Sequence, residues 1–191
     1  MIVPRDAATA SPTHPPGAGG AAARDDLVVG PWGARLQGVR LPCSVGRGGI
    51  SESKVEGDGV TPAGVYRLLW LYWRADRQGP PLSALDALPL GPQQGWAETP
   101  EDPDYNCPVR HPHGFPADRM ARGDGLYDLC AVTDQNQARI PGAGSAIFVH
   151  QWRKPRHPTA GCVAFRRRDL VWILGAWRPW SRLVIRLRGG L

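Results

Sequence analysis

The residues best suited to covalent chemistry lie between Ser145 and Phe165, in the stretch SAIFVHQWRKPRHPTAGCVAF. An apolar run, Ala146 to Val149, ends on His150, a polar loop follows, and Gly161 and Cys162 open a second apolar run. A thiol becomes a nucleophile when a neighbouring imidazole or cation favours its thiolate, so Cys162 is the candidate nucleophile and His150 the candidate base. Gly161 lets the backbone turn sharply, which aims main-chain N–H groups around Ala160 to Cys162 at a developing oxyanion. That arrangement suits acyl transfer through a tetrahedral intermediate. Thr159 supports the turn through its hydroxyl, and Arg153, Lys154 and Arg156 in the intervening loop suit a substrate carboxylate. Spacing alone leaves a second reading open, in which Cys162 is a small buried hydrophobe and His150 a strand-end residue.

To place such a pair, the chain needs strands on either side of the loop, and its composition supplies them. With 20 Pro and 24 Gly in 191 residues, short strands joined by many turns are expected, a mainly β fold with one or two helices. Residues 1–23 are rich in Ala, Pro, Gly and Thr and read as a disordered or loosely attached tail; residues 24–191 read as one catalytic domain. LVVG and RLQGVRLPCSVG are expected to be adjacent strands, and Val65 to Trp73 one central strand. Pro80 to Pro116 reads as a long cleft-forming loop, with Trp96, Tyr105 and Asn106 offering aromatic and amide groups to the cleft. Leu126 to Thr133 is a strand, Arg168 to Trp177 has helical spacing of Leu170, Ile173, Leu174 and Trp177, and Ser181 to Leu187 closes the chain as a strand.

The formal charge is +6, and the C-terminal part is the more basic, which by itself does not choose among nucleic acid, an anionic surface and a carboxylate-bearing substrate. No helix-turn-helix or aromatic-interleaved groove motif is visible, so a non-catalytic basic module is a distant reading and no nucleic-acid partner is expected. Cys43, Cys107, Cys130 and Cys162 form no C-x-x-C pair; Cys130 and Cys43 read as packing thiols. A metal hydrolase on Cys107, His111 and His113 is a further distant reading, without a supporting H-E-x-x-H helix. GRGG lacks the G-K-[ST] of a phosphate loop. The N-terminus has no secretory signal and no stretch reaches transmembrane length, so a cytoplasmic location is expected, periplasmic if the start is misassigned.

The segment FVHQ, a loop, then PTAGCVAF resembles the active-site signature of the L,D-transpeptidase catalytic domain, the YkuD family. A second match lies upstream, where DGVTPAGVY, Asp58 to Tyr66, is similar to the family's T-P-x-G-x-F/Y segment; DPDYNCPV around Tyr105 and Asn106, and PGAGSAIFVH, are similar to a shorter branch. The resemblance implies a YkuD-like β-sandwich that attacks the bond before the terminal D-Ala of a peptidoglycan stem tetrapeptide through a thioester on Cys162. It implies His150 as base, Gln151 orienting the imidazole through its main-chain carbonyl, and Gly161 in the oxyanion hole. It implies no metal or cofactor, and a thiolate open to acylation by a carbapenem. An amine taking the acyl group gives L,D-transpeptidation; water gives L,D-carboxypeptidase trimming in wall recycling. The chain departs from the family at Ala160, where a histidine is usual before Gly-Cys, and at Ala164, where a polar residue is usual.

Overall fold

The computed structural model describes residues 22–187; all but the last two residues of the expected tail lie outside that range. In chain order the elements are β1 (Leu27–Gly30), β2 (Gly33–Leu36), β3 (Val39–Leu41), β4 (Cys43–Ser44), β5 (Ile50–Ser51), β6 (Thr61–Pro62), β7 (Gly64–Tyr66) and β8 (Leu68–Trp73). There follow β9 (Ala87–Pro89), β10 (Gln94–Ala97), β11 (Pro108–Arg110), β12 (Ala117–Arg119), β13 (Leu129–Thr133), β14 (Phe148–Gln151), β15 (Val163–Phe165), α1 (Arg167–Ala176) and β16 (Leu183–Ile185). The fold is mainly β, with one helix among the described residues.

A five-stranded sheet, β3-β2-β1-β16-β7, and a six-stranded sheet, β4-β15-β14-β13-β8-β9, form the body of the sandwich. Hairpin chemistry begins it: Leu36 pairs with Val39 across Gln37 and Gly38, both at positive φ, as a two-residue hairpin turn requires. Parallel pairing of β1 with β16 ties the two ends of the domain together. Beside it Arg182 donates through Nε and Nη2 to the buried Asp26 carboxylate at 3.1 and 2.6 Å.

The side-chain alternation of the six-stranded sheet decides where the chemistry lies. Leu71, Leu129, Ala131, Val149, Val163 and Phe165 point to one face, where they pack with Leu27, Val29, Leu183 and Ile185 of the other sheet. Leu170, Ile173, Leu174 and Trp177 of the helical segment complete this core. Burying each such large apolar side chain contributes roughly 1.5–3 kcal/mol. Tyr72, Cys130, Val132, Phe148 and Cys162 point to the opposite face, into a second apolar cluster with Trp96, Met120 and Tyr127. One face therefore holds the sandwich together, and the other is available for a site.

Two expectations are corrected. Val65 to Trp73 is not one strand: it breaks at Arg67, β7 joining the five-stranded sheet and β8 the six-stranded one. The break is pinned because Arg67 N–H donates to Asp134 Oδ1 at 3.0 Å and Asp134 N–H donates to the Arg67 carbonyl at 3.2 Å. Nor is Pro80 to Pro116 a long loop. It contains β9, and its β10 and β11 join β12 in a three-stranded sheet, β11-β10-β12. Strands of three or four residues between prolines are too short to show an alternating pattern; this small sheet is anchored by Trp96, packed edge-on against Phe148 at 4.9 Å. The helix and final strand sit where the periodicity places them, within a residue or two.

Candidate active site

Strands β14 and β15 run parallel, with Val149 opposite Val163 and His150 opposite Ala164. Because side chains alternate, Phe148, His150, Cys162 and Ala164 all lie on the face turned away from the sandwich core. Cys162 thus stands diagonally from His150 on neighbouring strands. Phe148 N–H donates to Cys162 Sγ at 3.4 Å, and the thiol itself donates to the Ala146 carbonyl at 3.0 Å. Ala146 is not part of the strand: its φ of 51° turns the backbone so that this carbonyl meets the sulfur.

The Gly-Cys turn is held by two threonines. Gly161 has φ +150°, and a Cβ there would lie 2.9 Å from the Val60 carbonyl oxygen and 3.0 Å from Ile147 Cδ1, so the position demands glycine on both counts. Thr159 Oγ1 accepts from Gly161 N–H at 3.1 Å and donates to the Cys162 carbonyl at 2.6 Å. Thr61, fully buried, accepts from Gly46 N–H at 2.8 Å and donates to the Gly161 carbonyl at 2.7 Å. The T-P segment a hundred residues upstream is therefore a bolt on the Gly-Cys turn. Gly161 N–H being engaged by Thr159, the main-chain donor next to the sulfur without a described partner is Cys162 N–H.

His150 is fixed from two directions. Its Nδ1 lies 2.7 Å from the Gln151 carbonyl, an acceptor only, so Nδ1 carries the proton and Nε2 keeps its lone pair. Tyr127 stands edge-on to the imidazole at 5.3 Å, and its hydroxyl donates to Asp118 at 3.0 Å. Gln151 is locked in turn, its Nε2 donating to the Gly125 carbonyl at 2.9 Å.

Burial dominates the electrostatics of both groups. It pushes the Cys162 thiol up to about 12; the Phe148 N–H opposes this, Glu98 and Asp118 add to it, and Lys54 opposes it. Burial pulls His150 down to about 4, against the Gln151 carbonyl, with Arg122 lowering it further and Asp124 raising it. At rest the pair is a neutral thiol and a neutral imidazole.

The pair opens onto a cleft of about 600 Å³. His150, Arg153, Thr159, Ala160, Gly161 and Cys162 all line it. Arg153 is exposed at the mouth, 3.3 Å from Asp124. Tyr105 and Asn106 do not line it, contrary to expectation. Tyr105 is buried, donating to the Glu56 carboxylate, while Asn106 Oδ1 accepts from Trp96 Nε1 and Ala146 N–H, both at 3.1 Å. They stand one layer behind the wall, and Asn106 holds the residue whose carbonyl meets the thiol. Trp96 likewise is buried in the second cluster rather than exposed to the cleft.

Sequence reasoning did not single out Lys54, Glu98, Asp118, Arg122 and Tyr127, which the fold brings to the same cleft. Lys54 Nζ lies 2.5 Å from Asp58 and 3.8 Å from where Gly161 would carry a Cβ. Burial raises the Glu98 carboxyl to about 7, and the charges of Asp118 and Glu56 push the same way. The signals for these residues were faint: a Lys-Val-Glu-Gly-Asp run beside the T-P motif and a tyrosine within an apolar stretch.

Cys107, His111 and His113 are not assembled as a metal site. His113 Nε2 instead lies 2.7 Å from Asp102, and among the described residues the group close enough to share an ion is Asp102, Asp104 and His113. Several of the C-terminal arginines are paired within the fold, Arg166 with Asp169 and Arg182 with Asp26. No helix among the described residues is long and apolar enough to cross a membrane. Against known proteins, residues 33–185 match the family model of the L,D-transpeptidase catalytic domain, YkuD. No curated protein and no solved structure matches the chain.

Proposed function

The chain belongs to the L,D-transpeptidase catalytic domain family, and on that premise we propose that it transfers the acyl group of a peptidoglycan stem tetrapeptide from its terminal D-Ala to an amine through a thioester on Cys162. The observation that carries this reading is the placing of the Gly161–Cys162 turn beside His150 on the open face of the six-stranded sheet, at one cleft.

In the first half-reaction the Sγ of Cys162 attacks the carbonyl carbon of the bond before D-Ala while Nε2 of His150 takes the thiol proton. The imidazolium so formed is held by the Gln151 carbonyl. Cys162 N–H is the donor offered to the oxyanion, a contribution worth a few kcal/mol where such a donor is preorganised. Collapse breaks the C–N bond, His150 returns the proton to the departing D-Ala amine, and the acyl group remains on sulfur. In the second half an amine attacks the thioester carbon, and its proton goes by way of His150 to the leaving sulfur.

The cleft suits a substrate bearing both signs of charge, with Arg47, Lys54, Arg122 and Arg153 set against Glu56, Glu98 and Asp118. Purified protein given a disaccharide tetrapeptide is expected to release D-Ala, and Cys162→Ala to abolish release. Incubation with a carbapenem is expected to add one drug mass at Cys162 in intact-protein mass spectrometry. Turnover retained by Cys162→Ala would sink the assignment, and capture of the acyl group by water alone would make the protein an L,D-carboxypeptidase.

A further inference from the structure

Three carboxyl groups face the cleft, and two of them are committed to neighbours. Asp118 accepts from the Tyr127 hydroxyl at 3.0 Å and from Arg122 at 3.4 Å, and Glu56 accepts from the Tyr105 hydroxyl. Glu98, one residue past β10, makes no hydrogen bond or ion pair with any described residue. A carboxylate lining a cleft without a partner is free to receive a cation.

The register of the small sheet explains why it faces the nucleophile. Trp96 pairs with Asp118, so the two share a face, and Glu98, two residues beyond Trp96, falls on that same face. Trp96 packs on Phe148, whose N–H holds Cys162 Sγ. The face that lies over the nucleophile's support thus delivers Glu98 to the cleft, close enough for its charge to act on the thiol. Asp118 from β12 and Glu56 from the segment before β6 extend the negative side; Lys54, Arg47, Arg122 and Arg153 form the positive one.

A primary amine reaches the site at neutral pH as an ammonium ion, and it attacks a thioester only after losing a proton. His150 is ill matched to that step: it can take the thiol proton as the sulfur attacks, but an ammonium has no lone pair until its proton has gone, and burial holds the imidazole near 4, too weak a base to remove that proton beforehand. Glu98, raised to about 7 by burial and by the charges of Asp118 and Glu56, is the stronger base of the two and lines the cleft without a partner among the described residues, where an ammonium can meet it.

We propose that Glu98 is the acceptor residue of the cleft, binding the ammonium group of the incoming primary amine and removing its proton before attack. The assignment rests on the thioester reading above. The ammonium gives one proton to Glu98; the neutral amine then forms the C–N bond as the C–S bond breaks. The second nitrogen proton passes through His150 to the Cys162 sulfur, and Glu98 returns its proton to solvent. Glu98 would in this way select a cationic amine over water.

The test compares two acceptors in wild type and in Glu98→Gln: an alkylamine, Nα-acetyl-lysine, cationic near neutral pH, and hydroxylamine, neutral there. The readout is the ratio of amide to hydroxamate formed from one tetrapeptide donor. Loss of a positioned general base typically costs on the order of 10²-fold or more, so the ratio is expected to fall about that far in the variant. Glu98→Ala, measured the same way, is expected to give the same fall. Ratios equal to wild type in both variants overturn the role of Glu98 while leaving the thioester intact. A wild type that accumulates no acyl-enzyme and releases no D-Ala overturns the underlying reading and this assignment with it.

Discussion

The neutral resting state of the Cys162–His150 pair makes a prediction about the thiol in the absence of substrate. A thiol held at about 12 is ionised to only about one part in 10⁵ at pH 7, against a few per cent for an ordinary exposed cysteine. Three features cause this: the sulfur is buried, its proton is donated to the Ala146 carbonyl, and a single N–H, that of Phe148, donates to it. The rate of alkylation of Cys162 by iodoacetamide should therefore rise about tenfold per pH unit across roughly pH 6–9, with no plateau. Access to a half-closed cleft changes the height of that profile but not its slope. Peptide mapping, with Cys162→Ser as the subtraction for Cys43, Cys107 and Cys130, isolates the relevant thiol. An alkylation rate independent of pH between about 5 and 8 would be the signature of a standing thiolate–imidazolium pair, and would refute the neutral pair.

Stability should carry the mark of His150 as well. In the unfolded chain this histidine takes its proton near 6.5 and in the folded one only near 4, so its contribution is complete above 6.5 and is lost as pH falls towards 4. The loss is about 3 kcal/mol. Glu98 acts in the opposite sense, since its raised carboxyl is protonated in the folded protein first. The two offset each other in the wild type, so the measurement is the difference between wild type and His150→Gln in urea unfolding, which should move by about 3 kcal/mol in the variant's favour between pH 7 and 4. A difference that does not change with pH would count against the buried neutral imidazole. Thr61→Val orphans a buried N–H at Gly46 and a carbonyl at Gly161, which should cost about 2–4 kcal/mol together. It should also lower the kcat for D-Ala release more than it raises KM, whereas Thr61→Ser keeps both bonds; equal losses in the two variants would show that the hydroxyl is not the bolt.

Much of the candidate site was legible because its parts have distinct residue types at strand ends. His150 closes an apolar run, and Gly161 precedes Cys162 at a point where φ and two close contacts both forbid a side chain. The helical stripe of Leu170, Ile173, Leu174 and Trp177 was equally plain. Sheet membership was not. A run as uniformly apolar and aromatic as Val65 to Trp73 gives no local hint that it changes sheets at Arg67, because the cause is a pair of bonds to Asp134, sixty-seven residues away. The small sheet was missed because strands of three and four residues carry no period. Its misreading as a loop is also what put Trp96, Tyr105 and Asn106 on the cleft wall and left Glu98 and Asp118 unnoticed. In a strand the alternate residues go opposite ways, so once β10 is paired with β12 the aromatic side chain turns into the core and the next residue on that face, Glu98, reaches the cleft.

The same pairing links the apolar and the charged parts of the site. The thiol and imidazole sit at the edge of the second apolar cluster, where Phe148, Tyr127 and Trp96 desolvate them. Desolvation on that side keeps the resting pair neutral, and a neutral pair costs less to bury than an ion pair would. In the proposed acylation the thiol proton would move to His150 and then to the leaving amine, so charge separation would exist only while the substrate carbonyl is present to take it up. An incoming ammonium would have no such path, since it carries no lone pair until its proton has gone, and Glu98 would be the acceptor for that proton. The three-stranded sheet supplies both surfaces from one strand: Trp96 packs on Phe148, whose N–H meets the Cys162 sulfur, and two residues on, Glu98 lines the cleft.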